Sequence, residues 1–144
     1  MKFFYWSLLM TICVCCQSPT AKQDHKTPSS QEVKSKAAEK VILFFGTSIT
    51  AGYQLDLSEA FPALIQERLD SLSLDYRAVN AGLSGETTAS GLSRLDWVLK
   101  NPVDVFVLEL GANDGLRGLK TEETAKNLQA IIDGVKAKFP DCEI

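Results

Sequence analysis

Histidine occurs once in these 144 residues, as His25. Any histidine-dependent proton transfer therefore has one candidate within the chain. Basic charge is not in excess: 15 Lys and Arg stand against 18 Asp and Glu, for a net charge of −3 and a pI near 5.2. That balance provides no positive field to hold a nucleic-acid backbone, so nucleic acid is excluded as a partner. No apolar run reaches the roughly 20 residues needed to cross a bilayer. The stretch from Phe3 to Val14 is too short for a stable transmembrane helix. Three of the four cysteines, Cys13, Cys15 and Cys16, crowd the exit of that stretch, where no folded scaffold exists for a disulfide framework or a metal site. There is no internal repeat. What is there is ordinary globular composition, 45% hydrophobic and 23% charged, at a length that allows one domain at most.

The N-terminus, MKFFYWSLLMTICVCCQSP, places Lys2 ahead of the apolar stretch and small residues and thiols behind it, the layout of an export signal. Its cysteines resemble the lipobox of bacterial lipoproteins, in which the cysteine at the cleavage point is lipidated and becomes the first mature residue. Cys16 fits that position best because small Cys15 precedes it; Cys15 is the alternative, with Ile12 three before it but bulky Val14 adjacent. The plainer reading is an ordinary cleaved signal. Residues 1–16 are thus expected to be a lipoprotein-type signal peptide. They would place the protein in a bacterial envelope as an anchored lipoprotein, or in the periplasm, touching membrane only through the lipid. Residues 17–40 turn to Ser, Thr, Lys, Gln, Glu and Pro and cannot bury enough apolar area to offset ordering, so a flexible tether is expected. His25 lies inside it.

From residue 41 the pattern becomes regular. VILFF, Val41 to Phe45, is a continuous apolar run of strand length, as found when both faces of a parallel sheet are covered. A helix is expected from Ser58, its N-cap, with Phe61, Leu64, Ile65, Leu69 and Leu72 at helical spacing. Asp75 to Asn80 reads as a second strand, Thr88 to Lys100 as a second helix stopped before Asn101-Pro102, and Val103 to Leu110 as a third strand. Thr121 to Phe139 reads as a third helix, with a further strand expected at Cys142 to Ile144. This alternation implies parallel strands with right-handed crossovers in an open α/β sheet. Trp97 is expected in the core, Cys142 is expected to be structural, and Glu109 needs a partner that the sequence does not name.

Open α/β sheets bind ligands beyond the carboxyl ends of their strands. Three glycine-rich segments occupy that edge: GTSITAG (Gly46 to Gly52), NAGLSGET (Asn80 to Thr87) and GANDGLRG (Gly111 to Gly118). Any one alone is weak, since such a turn can be a nucleophile's perch, a phosphate cradle or only a turn. Together they supply a reaction. Ser48 at a strand-to-helix turn can act as nucleophile if a base takes its proton and donors support the oxyanion. Backbone N–H groups near Ser48 and Gly85 and the neutral side-chain amide of Asn113 are the candidate donors. Asp114 suits the holding of its turn or a place at the substrate, and Arg117 suits the cleft's border or a solvated loop.

These segments closely resemble blocks I, II and III of the SGNH (GDSL) hydrolases, in the branch of thioesterase I, lysophospholipase L1 and arylesterase. GTSITAGY resembles that branch's GDSLSAGY-like block, NAGLSGETTASGLSRL its glycine block and ELGANDGLRG its GxND block, in the same order. The resemblance runs from about Val41 to the end of the chain. It implies a flavodoxin-like three-layer α/β/α fold and hydrolysis of a small acyl ester or thioester without metal or cofactor. It makes Ser48 the nucleophile, Gly85 a backbone oxyanion donor and Asn113 the side-chain donor.

Two departures stand out. Thr47 occupies the place where the family commonly has aspartate. The family's C-terminal D-x-x-H block, source of its catalytic Asp and His, does not occur here. His25 cannot replace it, because it precedes the first strand and a base must be held within hydrogen-bond reach of the serine. The expectation is therefore an N-terminal fragment of a longer hydrolase, inactive by itself, with short-chain or aryl carboxylic esters as first-choice substrates. A flavodoxin-like phosphate or flavin-mononucleotide binder and a cell-surface pseudoenzyme are the alternatives.

Overall fold

The computed structural model describes residues 39–144. Cys13, Cys15, Cys16 and His25, with the expected signal and nearly all of the expected tether, lie outside the described residues.

The consecutive apolar positions of Val41 to Phe45 follow from their place in the sheet. Strand β1 (Lys40–Gly46) lies between β2 (Tyr76–Asn80) and β3 (Val105–Glu109) and runs parallel to both, in the order β2-β1-β3. Successive side chains of a strand point to opposite faces. Leu43 and Phe45 therefore enter one core, with Phe106 of β3, Leu95 and Leu99 from α3 (Thr88–Val98) and its end, and Ile131 and Val135 of α4 (Thr121–Lys138). Phe44 points the other way and meets Phe61 at the start of α2 (Phe61–Ser71) edge to face, with ring centroids 5.4 Å apart and planes at 83°. Helices thus cover both faces of a parallel sheet, in three layers. Parallel neighbours cannot be joined by tight turns and need crossovers. With α2 joining β1 to β2 and α3 joining β2 to β3, the carboxyl ends of all three strands open onto one edge.

Element boundaries differ from the sequence expectation where backbone chemistry intervenes. Ser58 does not start α2; it sits in a short 3₁₀ turn, Leu57–Glu59, capped by Asp56 and Glu59 in a reciprocal capping box. Ala60 is extended, and α2 begins one residue later with Pro62 in its first turn. Proline has no N–H to give to the carbonyl four residues back, and its ring would collide with that carbonyl, which here is Ser58's. One uninterrupted helix through both residues is thereby excluded. Trp97 is also not core, being 67% exposed. The buried stripe of α3 runs through Thr88, Gly91 and Leu95, and a residue two positions beyond Leu95 falls on the far side of the helix.

At the other end of the domain, Glu143 pairs in parallel with Val105 beside β3. Phe106 N–H donates to the Glu143 carbonyl at 2.7 Å, and Glu143 N–H donates to that of Asp104 at 2.9 Å. Strand-like pairing therefore occurs where a further strand was expected. Cys142 beside it is buried, and burial pushes its thiol above the usual cysteine range, the character of a packing group rather than a nucleophile.

Candidate active site

Ser48 is the first residue of a single helical turn, α1 (Ser48–Ala51), standing directly on the end of β1. Thr47 is its extended N-cap, and its hydroxyl oxygen accepts from Ile49 N–H at 3.5 Å. Ser48 is partly exposed, while its neighbours Thr47 and Thr50 are 1% and 0% exposed. Both neighbours turn inward to Glu109, the last residue of β3. The partner of Glu109 that sequence alone did not name is thus the pair of threonines flanking Ser48.

The second segment is fitted against the first. Leu83 N–H donates to the Gly46 carbonyl at 2.8 Å, and the Asn80 side-chain amide donates to the Thr50 carbonyl at 2.8 Å. Asn80 also accepts from Gly82 N–H at 2.9 Å, which curls the chain under α1. Gly82 is there because nothing larger fits: a β-carbon on it would overlap the backbone nitrogen of Ala51. Gly82→Ala should accordingly destabilise the domain by about 1–3 kcal/mol, the usual cost of overpacking a closed site. A thermal unfolding midpoint equal to that of the wild type would contradict this contact. Gly85 sits further along with φ at +79°, a backbone conformation that a side chain would strain.

The third segment closes on the second. The Asn113 amide donates to the Glu86 carbonyl at 2.9 Å, which uses one of its two N–H groups. The Arg117 guanidinium donates to the Gly85 carbonyl at 2.8 Å. The structure thus brings the segments of Gly85 and Asn113 together and places Arg117 beside them. Asp114, expected as a possible substrate contact, requires correction. Its carboxylate is 2% exposed and accepts from Thr88 N–H at 2.9 Å and from the Thr88 hydroxyl at 2.6 Å. It anchors the start of α3 beneath the loop and is withdrawn from any substrate.

Beneath these loops lies a pair that the sequence reading missed. The Glu86 side chain is fully buried, and both its oxygens accept from Arg94, which also donates to the Ala81 carbonyl at 2.7 Å. The guanidinium lies over the Phe45 ring, 4.2 Å from its centroid. Eight residues apart, Glu86 and Arg94 fit no local helical pairing rule, so only the fold reveals them.

The profile of the GDSL-like Lipase/Acylhydrolase family matches residues 44–144, a span containing Ser48, Gly85 and Asn113. The chain belongs to this family. Among similar proteins, Esterase TesA of Pseudomonas aeruginosa is 41% identical over 104 residues, 72% of this chain and 52% of that protein. Thioesterase 1/protease 1/lysophospholipase L1 of Escherichia coli K12 is 42% identical over 102 residues, 70% of this chain and 48% of that protein. The crystal structure of AlinE4, an SGNH-hydrolase family esterase, superposes with a TM-score of 0.67 at 41% identity, over 73% of this chain and 57% of that one. The chain spans about half the length of the first two of these relatives.

Proposed function

We propose that this chain carries the nucleophile and oxyanion half of a serine esterase acting on small carboxylic esters. Aryl or short-chain acyl esters come first, and lysophospholipids and acyl-thioesters fall within the same chemistry. One observation carries the reading. Three loops far apart in sequence are tied to one another at a single sheet edge, with Ser48 on the most firmly held turn.

In the proposed reaction Ser48 Oγ attacks the acyl carbonyl while a histidine supplied from outside residues 39–144 takes its proton. Backbone N–H groups at Ser48 and Gly85 and the second N–H of Asn113 stabilise the oxyanion. The same histidine protonates the departing alcohol, and water then cleaves the acyl-enzyme by the reverse route. Arg117, fixed on the Gly85 carbonyl, borders the cleft. No metal or cofactor enters these steps. We further propose export through residues 1–16, a lipid on Cys16 and a tether over residues 17–40.

The test is covalent capture. An activated alkyl phosphonate ester added to an active protein containing this chain should attach to Ser48 stoichiometrically, read by peptide mass spectrometry as one adduct on the peptide containing GTSITAGY. An adduct on another serine, or none after prolonged exposure, would reject the assignment.

A further inference from the structure

The one-turn helix α1 is closed by its own backbone bonds. Ala51 N–H donates to the Thr47 carbonyl at 2.9 Å and Tyr53 N–H to that of Ser48 at 2.9 Å. The ties to Glu109 are additional. Register places Gly46 of β1 opposite Glu109 of β3, so the carboxylate lies against the backbone at the point where β1 becomes the Ser48 turn. Its Oε2 accepts from Thr47 N–H at 2.9 Å, from the Thr47 hydroxyl at 2.9 Å and from the Thr50 hydroxyl at 2.9 Å. Its Oε1 lies 3.0 Å from the Thr47 hydroxyl. A carboxylate only accepts, and each partner here donates, so the bonds are charge-assisted and of the stronger kind, with the one Thr47 hydroxyl hydrogen shared between both carboxylate oxygens. Thr47 matters in its own right. It stands where the family commonly has aspartate, and a hydroxyl can donate to Glu109 where an ionised carboxylate could not.

Two residues beyond Glu109 the third loop begins, and four beyond it stands Asn113. The network therefore does more than close a turn: it sets the Ser48 turn against the strand that delivers the oxyanion side chain. We propose that Glu109 is a positioning residue for the nucleophile, its carboxylate holding Thr47 and Thr50 so that Ser48 keeps its distance from the Asn113 loop. This inference rests on Ser48 being the nucleophile, and Glu109 itself touches no substrate.

The experiment compares Glu109→Ala, Glu109→Gln, Thr50→Val, the double variant Glu109→Gln with Thr50→Val, and Ser48→Ala in an active protein containing this chain. Steady-state hydrolysis of a short-chain nitrophenyl ester is read together with the rate of phosphonate labelling. Glu109→Ala leaves three inward donors without an acceptor, and kcat should fall about 10²-fold, the order that a misplacement of about 1 Å produces. KM should stay within about twofold, since uniform substrate binding is not removed. Phosphonate labelling should slow in the same ratio as kcat. Glu109→Gln keeps the length and one acceptor and should restore kcat to within about tenfold of wild type, because a neutral hydrogen bond replaces a charge-assisted one. Wild-type kcat in Glu109→Ala, a change confined to KM, or a Gln variant no better than Ala would each overturn the proposal. If Glu109→Ala does not fold, Thr50→Val and Glu109→Gln decide. Lowered kcat in both at constant KM, with a combined effect smaller than the product, supports shared action, and independent or absent effects overturn it. Activity retained by Ser48→Ala would mean that the nucleophile assignment has failed. A dead Ser48→Ala beside an unaffected Glu109→Ala would mean that only the positioning role has.

Discussion

Under the proposed reaction, Ser48→Ala in an active protein containing this chain should cut kcat/KM for short-chain nitrophenyl esters by at least about 10³-fold, because the covalent route is removed and only binding and oxyanion support are left. The residue is small and partly exposed, and among the described residues its structural tie is made by the backbone carbonyl, which accepts from Tyr53 N–H, whereas the side chains of Thr47 and Thr50 are engaged inside. Folding should consequently be untouched, and circular dichroism and the unfolding midpoint should match the wild type. That combination separates the nucleophile from its neighbours. A serine that served the turn would lose stability along with rate, and one that served neither would lose nothing. Hydrolysis within about tenfold of wild type would be incompatible with an acyl-enzyme on this oxygen.

The second large effect concerns stability. Arg94→Met removes the cation from a fully buried carboxylate, and breaking a buried ion pair from one side typically costs about 3–5 kcal/mol. Here the loss extends further, because the same guanidinium holds the Ala81 carbonyl and lies over Phe45. For a domain of this size each kcal/mol lowers the melting midpoint by roughly 4–8 °C, so a fall of at least about 12 °C is expected by differential scanning calorimetry. Adding Glu86→Gln should recover part of it, since a neutral amide costs less to bury than an unpaired charge. A midpoint shift below about 3 °C would show that the pair does not hold the second loop, on the same scaling.

Much of this was legible in the residues, for identifiable reasons. The run Val41 to Phe45 announced a strand covered on both faces because no polar position interrupts it, and β1 is indeed the central strand. The strand-helix rhythm announced a parallel sheet because crossovers need the intervening helices. The loops were found because glycine, hydroxyl and amide residues cluster after each strand. What could not be read is everything that depends on register. Glu109 meets Thr47 and Thr50 across 62 and 59 residues, and Glu86, just ahead of the cap of α3, meets Arg94 inside that helix. By sequence Asp114 reads as holding its turn or lying at the substrate, and the partner that buries it, Thr88, lies 26 positions away. Trp97 was misplaced for a different reason: large apolar residues on both sides of it suggested burial, but the helical angle decides, and it turns indole to solvent.

The rim is fastened by polar side chains and the body beneath it by apolar packing, with Phe106, Ile131 and Val135 taking no part in the fastening. Such separation gives a scaffold two independent design layers. Exchanging an individual fastener such as Arg117 should loosen the rim locally, while the foundation that keeps the polypeptide folded is left as it stands.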